Sequence, residues 1–425
     1  MLTRVILSFC LFLGCCFSEL DVFKLARNGE FEMLKDIIEN DDGFDVNQTT
    51  RGYFKIPLLH EAAKSGSLEF VKYLVETKNA NKDAKDTAQK TVLHGAASSG
   101  SLELVKYLIE TYKTDPRVVD DYGVAVLYNA VQSGSFKLVE YLIEEHNADP
   151  HKKQDAFTDN VFEEAFKSGS LDLVKYLINN HDANPHDANK NGKTMLHCAA
   201  ESGSWRLVDY LVTDHEVNPH AVTNWGFDML YFAASSGSLD LVRYLIEQQK
   251  LSPNDSEEIL RKVISKGYVD ITRYLIDSGW NYTPGYGVLV EAALSRKNSL
   301  NMIKLFIDEY KVDPNAINSI GETVLHKLSK TRQPPDLPTV TYLANLNDTL
   351  RAVDKNGYTP LHIAIEAINL RIVKVLIAAG ADPKLETNDG KNSLEIARSK
   401  HNANPGQVSQ DVLSLIEGSI RKSAR

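Results

Sequence analysis

The chain has 425 residues, with 47 Lys and Arg against 57 Asp and Glu, a net charge of −10. That balance excludes sequence-led capture of nucleic acid, which needs a basic face against the phosphates, and a chain 43% hydrophobic and 24% charged is not a disordered one. Four cysteines exclude a disulfide scaffold, though on their face they leave room for two bridges or one zinc site.

The first eighteen residues carry one charge, Arg4, ahead of an apolar run from Val5 to Phe17. The run is short for a bilayer, and Glu19 and Asp21 follow at once. A positive head, a short apolar middle and small residues at the exit describe a secretory signal peptide, with cleavage expected after Ser18. The alternatives are a lipoprotein leader modified at Cys15, which Phe12 and Leu13 fit poorly, and a buried helix, which no amphipathic pattern supports. Removal of the leader takes Cys10, Cys15 and Cys16 with it. Cys198 would then stand alone, and the mature charge would be 46 − 57 = −11. No second apolar run of membrane length follows.

Beyond the leader one pattern recurs. Ser-Gly-Ser stands with its glycine at Gly66, Gly100, Gly134, Gly169, Gly203 and Gly237, at spacings of 34, 34, 35, 34 and 34. A tyrosine follows seven residues later each time (Tyr73, Tyr107, Tyr141, Tyr176, Tyr210, Tyr244), and Gly267 is followed by Tyr274. A proline follows sixteen residues after five of these glycines (Pro116, Pro150, Pro185, Pro219, Pro253). A strict period of this length signals a repeat array. Each repeat reads as two helices and a turn. The first helix opens on phrases such as Thr91-Val-Leu-His94 and Thr194-Met-Leu-His197, packs through small residues, and closes at the glycine, where a left-handed residue is needed. The second carries an apolar stripe at Leu102, Val105, Leu108 and Ile109 and ends before Asn-Pro or Asp-Pro.

These repeats resemble ankyrin repeats. The family's helix-opening tetrapeptide stands intact at Thr359-Pro360-Leu361-His362, followed by Ala364 and by Val373-Lys-Val-Leu-Ile-Ala-Ala-Gly-Ala-Asp-Pro383. Degenerate copies stand at Thr91, Thr194 and Thr323. About twelve repeats fit between Asp21 and Ile416. The second helix looks one residue longer than the family's: Tyr141 to Pro150 is nine steps, Val375 to Pro383 eight. The resemblance implies an all-α ankyrin-repeat solenoid of stacked helix-turn-helix units with projecting turn fingers, whose concave face binds proteins. The expected organisation is a leader at 1–18, a regular array at 19–255, irregular repeats at 256–350 where the stack bends or divides, C-terminal repeats at 351–418 and a tail at 419–425.

Phe54, Tyr122, Phe157 and Trp225 sit three residues before the helix-opening position. They are either contact anchors for a partner or rings folded back on a neighbouring turn. The tyrosine ladder reads as inter-repeat packing, with a recognition stripe as the alternative. The resemblance makes His60, His94, His197, His326 and His362 structural, each ring bonding nearby backbone. A second set pairs His146 with His151, His181 with His186, and His215 with His220. These six are weak metal or pH-sensing candidates, with duplication of a polar loop as the plainer reading. His60-Glu61 begins like a zinc-protease helix, but Lys64 replaces the second histidine. Cys198 reads as an inert core thiol. Sequons at Asn47, Asn254, Asn281 and Asn347 are candidate N-glycosylation sites.

The expected function is therefore that of a secreted, non-catalytic ankyrin-repeat glycoprotein. It would bind a neutral or basic protein as a monomer, without cofactor or nucleic acid, and act as an effector or venom-like factor. Alternatives are an intracellular scaffold whose apolar start is not cleaved, and an enzyme that the array targets, for which little non-repeat sequence remains.

Overall fold

The computed structural model describes residues 21–152, 160–252, 256–331, 336–346 and 348–423. The leader, Phe157, Asn254 and Asn347 lie outside them. The chain divides into two compact bodies between Trp225 and Gly226. Each holds six helix pairs among the described residues, and no strand forms there.

In the N-terminal body the first helices are Val22–Arg27, Leu58–Lys64, Val92–Ser99, Val126–Gln132, Val161–Ser168 and Met195–Ser202, and each packs on the next. The second helices are Phe31–Asn40, Leu68–Lys72 continuing into Tyr73–Thr77, Leu102–Tyr112, Phe136–Glu144, Leu171–Asn180 and Trp205–Thr213. In the C-terminal body the first helices Met229–Ser236, Ser256–Lys266, Tyr286–Ala293, Val324–Ser329, Pro360–Glu366 and Ser393–Ala403 stack in the same way. Each body buries a row of Leu, Ile, Val and Ala between its helices, as repeats that contact only their neighbours must.

The Ser-Gly-Ser phrase works as a bracket. Its first serine donates Oγ to the carbonyl three residues back (Ser99 to Ala96, 2.7 Å) and accepts the N–H of the second serine (Ser101, 3.2 Å). The second serine caps the next helix, accepting from the Leu104 N–H at 3.3 Å. The same bonds recur at Ser65, Ser202 and Ser236. Between the serines the glycine takes φ near +75°.

The extra residue of the longer repeats goes into the end of the second helix. In the shorter repeats the closing N–H reaches back five residues, as from Ala381 to the Leu376 carbonyl. In the longer ones it reaches back six: Ala80 to Leu74, Ala148 to Leu142, Ala183 to Leu177, Val217 to Leu211. A non-glycine residue turns left-handed there each time (Asn79, Asn147, Asp182, Glu216). The stripe read for the second helix needs one correction. Leu104 is fully buried and Leu102 only half-buried, so the stripe follows Leu104, Val105, Leu108 and Ile109.

Fingers join the second helix of one repeat to the first helix of the next. Isolated antiparallel bridges close several of them (Thr49 with Pro57, Val119 with Ala125, Ala188 with Thr194, Glu386 with Asn392). An Asp or Asn at the tip accepts two backbone N–H groups, as Asp120 does from Tyr122 and Val124. Neighbouring fingers bond through backbone: Thr87 N–H to Phe54 carbonyl and Asp121 N–H to Ala88 carbonyl in one body, Lys355 N–H to Ile320 carbonyl in the other.

Residues 256–350 keep their helices, and the irregularity lies in the connections. Only 278–285 separate Val269–Asp277 from Tyr286–Ala293, too few for a finger. The insertion at Arg296 and Lys297 folds onto the preceding repeat, where the Arg296 N–H bonds the Ser265 carbonyl. There the Lys297 carbonyl lies so close over Gly267 that no Cβ fits beneath it. The last helix, Gln407–Ser423, runs into the segment read as a tail, so 419–423 are helical.

Candidate protein-binding face

The fingertips of the N-terminal body hold its most exposed aromatic rings. Trp225 is 65% exposed, Tyr122 49% and Phe54 48%. Tyr53, 82% exposed and packed edge-on to Phe54 with centroids 5.3 Å apart, was missed by the sequence reading. In the C-terminal body the tips carry Ile317, Ile320 and Val353, all at least half exposed. Ile320 stands three residues before Thr323, the register used for the aromatics. A rule open to aliphatic residues would have found it.

Behind Phe54 and Tyr122 the first helices leave a recess of about 260 Å³. Gly95, Ser98, Asn129 and Lys64 also line it.

The helix-opening histidines tie the fingers to the helices. Each ring bonds a carbonyl of the following finger through Nε2: His60 to Ala84 (2.9 Å), His94 to Val124 (3.3 Å), His197 to Ala221 (3.1 Å), His326 to Tyr358 (2.9 Å) and His362 to Leu385 (3.1 Å). In the last four, Nδ1 accepts the N–H of the threonine three residues earlier at 3.1 Å. A neutral ring protonated on Nε2 satisfies both bonds. Burial pulls His60 down to about 4 and lowers His94, His326 and His362 as well.

The tyrosines form a ladder on the other helix row. Tyr73, Tyr141 and Tyr176 donate their hydroxyls to Glu39, Glu110 and Glu144 of the preceding repeat, at 3.3, 3.4 and 2.5 Å, and Tyr107 bonds Glu76. Lys72, Lys106 and Lys175 lie 4.7–4.9 Å over the rings of the following Tyr107, Tyr141 and Tyr210. Burial and the adjacent carboxylates raise the ionisation of Tyr73, Tyr107, Tyr141 and Tyr176. The ladder is thus occupied in holding repeats together.

The paired histidines are engaged separately. His146, His181 and His215 pack edge-on against Tyr141, Tyr176 and Tyr210 at 4.7–4.8 Å, and His215 also bonds the Tyr210 hydroxyl at 2.8 Å. His151 faces Phe162 instead. His186 and His220 sit in exposed turns, their backbone N–H groups held by Asn184 and Asn218. Among the described residues no three His, Cys, Asp or Glu are grouped to hold a metal ion.

Glu61 is fully buried between Arg27 and Lys64. Burial opposes its charge, but the bonds from those two cations hold its carboxyl below the ordinary value. Cys198 is buried, and desolvation pushes its thiol up to about 12. Asn47 and Asn281 lie exposed outside the helices, and Asn47 Oδ1 accepts the Asn81 N–H at 2.7 Å.

A family model for ankyrin repeats in sets of three matches residues 22–120, 59–154, 127–222, 162–256, 206–286 and 289–387. The chain belongs to the ankyrin-repeat family. Among curated relatives it is 32% identical over 136 residues to palmitoyltransferase AKR1 of Lachancea kluyveri, covering 31% of this chain and 18% of that protein. It is 23% identical over 202 residues to an intracellular phospholipase A2 of Caenorhabditis elegans, covering 38% of this chain and 18% of that protein. A putative ankyrin repeat protein of fowlpox virus, FPV031, matches at 27% over 158 residues, covering 35% of this chain and 45% of its own. The chain thus spans less than half the length of each relative. Ankyrin repeats are non-catalytic protein-interaction elements. Among the described residues no helix is long and apolar enough to cross a membrane.

Proposed function

We propose that this ankyrin-repeat chain captures a partner protein on the face built from its fingertips and first helices, and performs no reaction on it. The observation that carries this is the row of exposed Tyr53, Phe54, Tyr122 and Trp225 on fingers fixed by backbone bonds and buried histidines. Aromatic rings held in water on a rigid support are the residues that dominate protein interfaces, and prior rigidity lowers the ordering cost of binding. The net charge of −10 favours a neutral or basic partner. The test is affinity capture with the native chain and with Phe54→Ala, Tyr122→Ala and Trp225→Ala combined. Loss of a partner that the native chain retains supports the reading, and equal recovery refutes it.

We further propose that the chain acts outside the cell that makes it, as an effector or venom-like factor. The support is the Arg4 head, the apolar run from Val5 to Phe17 and the small exit residues. Expression with residues 1–18 intact should place the protein in the medium, starting near Glu19. Retention in the cytosol with Met1 in place would favour an intracellular scaffold.

A further inference from the structure

We propose that Asn47 carries an N-linked oligosaccharide and that Asn281, in the other described sequon, does not. The inference rests on the extracellular reading above. The reaction is transfer from a lipid-linked oligosaccharide of the secretory pathway. Asn47 Nδ2 forms a bond to C1 of the first sugar. The bond from C1 to the lipid pyrophosphate breaks, the pyrophosphate leaves with its electron pair, and the nitrogen loses one proton.

The fold leaves that nitrogen open. Asn47 stands exposed in the turn 45–48, where the Gln48 N–H bonds the Asp45 carbonyl at 3.2 Å and its own N–H bonds Asp45 Oδ1 at 2.8 Å. Asn47 Oδ1 accepts the Asn81 N–H at 2.7 Å. A backbone N–H needs an acceptor, so this bond fixes which end of the amide is oxygen. Nδ2 lies on the other arm of the planar group, turned from that bond. A sugar on Nδ2 leaves Oδ1 an acceptor, so the link between neighbouring fingers survives the modification. Thr49 presents the sequon hydroxyl from an exposed position, held through the backbone bridge to Pro57. The hydroxyl that ties the finger is that of Thr50, whose Oγ1 accepts the Ile56 N–H at 2.9 Å.

Asn47 also stands on the right leg of its finger. The leg after the Thr49–Pro57 bridge enters the first helix Leu58–Lys64, and Asn47 lies on the leg before it, which leaves the second helix Phe31–Asn40. A bulky, solubilising sugar is rooted there outside the first-helix row that the partner uses. Asn281 differs on both counts. Pro284 follows its sequon and confines Thr283 to extended backbone, even in the unfolded chain that the transferase meets. The Thr283 hydroxyl is then kept from turning back to the Asn281 amide, whereas no proline follows Asn47 before Pro57. In the fold, Tyr282 packs on Phe306 with centroids 5.4 Å apart. Asn281 lines a recess with Leu260, Arg261 and Val288 of two first helices, so a sugar there would stand on the first-helix row.

The test expresses the full chain in eukaryotic cells in two forms, with residues 1–18 in place and with an established secretory leader instead. Secreted protein is treated with peptide N-glycosidase in heavy-oxygen water, and mass spectrometry of its peptides reads each glycosylated asparagine as a labelled aspartate. The expected result is label at Asn47 in most chains and at Asn281 in few. Thr49→Ala should remove the Asn47 label and leave the urea midpoint of the deglycosylated protein nearly unchanged, as at exposed positions generally. Pro284→Ala should raise labelling at Asn281 several-fold. A bare Asn47 in secreted protein, equal labelling at the two sites, or an Asn47 label that survives Thr49→Ala overturns the proposal. Labelling at Asn281 that Pro284→Ala does not change overturns the reason given for its exclusion. If the chain stays in the cytosol behind its own leader but is labelled at Asn47 behind the other, the extracellular reading fails and the acceptor site stands. If its own leader exports it with Asn47 bare, the site fails and the extracellular reading stands.

Discussion

Gly134 and Gly169 occupy the same place in successive repeats, with φ of +72° and +74°. Alanine at either position must hold a left-handed conformation, at about 1–2 kcal/mol. The space around them differs. A Cβ on Gly134 stands 3.6 Å from the nearest atom, Ser168 Cβ, which is ordinary contact. A Cβ on Gly169 stands 2.9 Å from both Cβ and Oγ of Ser202. Ser202 cannot rotate aside, because its Oγ donates to the Ala199 carbonyl at 2.6 Å and accepts the Ser204 N–H at 3.1 Å. Overpacking against a fixed group adds roughly 1–3 kcal/mol. Gly134→Ala should therefore lose about 1–2 kcal/mol and Gly169→Ala about 2–5 kcal/mol. Urea unfolding followed by circular dichroism measures both, with the slope checked for constancy. Hydrogen exchange at Ser202 and Ser204 gives a local reading that survives any loss of two-state behaviour in the array. Equal losses would show that the Ser-Gly-Ser bracket yields to a methyl group, and would refute the inter-repeat contact as a reason for the glycine.

The buried histidines predict acid sensitivity of a definite sign. Their folded values lie below the unfolded value near 6.5, so the unfolded chain takes up more protons as pH falls. Stability is then full above pH 6.5 and lost between 6.5 and about 4, with His60 alone contributing roughly 3 kcal/mol. A urea midpoint that stays flat or rises from pH 6.5 to 5 would refute this. Tyr107→Phe removes hydroxyl bonds to Glu76 and Tyr112 and should cost about 1 kcal/mol; a double-mutant cycle with Glu76→Gln that shows no coupling would deny the ladder its inter-repeat role. Cys198, the free buried thiol with its ionisation pushed to about 12, should stay unlabelled by a thiol-disulfide reagent in the native protein and react fully in urea. Fast native labelling would mean that helix Met195–Ser202 opens.

The repeat period was legible because its residues do the same physical task in most copies. The glycine needs a left-handed backbone, the two serines bracket it, and the tyrosine reaches one carboxylate of the repeat before. A task that recurs along the array leaves the same letter at each period. The wide helix end left only a count of residues, because Asn79, Lys113, Asn147, Asp182 and Glu216 all take the left-handed turn without a common side chain. Register within the second helix was misjudged at Leu102 because Leu102 and Leu104 are the same residue type and either begins an apolar stripe. The binding face was the least legible part, and for the opposite reason to the period. A surface that chooses one partner must depart from the repeat, and a departure carries no confirming copy. The aromatic tips could be found because large exposed rings stand out against polar turns. Ile320 holds the same register without an aromatic ring and was passed over. Gly95 looked like any small helix residue, and Asn129 like a tolerated polar one. Only packing shows that the first lies against the His60 carbonyl, with no room for a Cβ, and that the second is buried with an unpaired oxygen. In a repeat protein the shared residues therefore report how the array stands, and the exceptions within one column report what it holds.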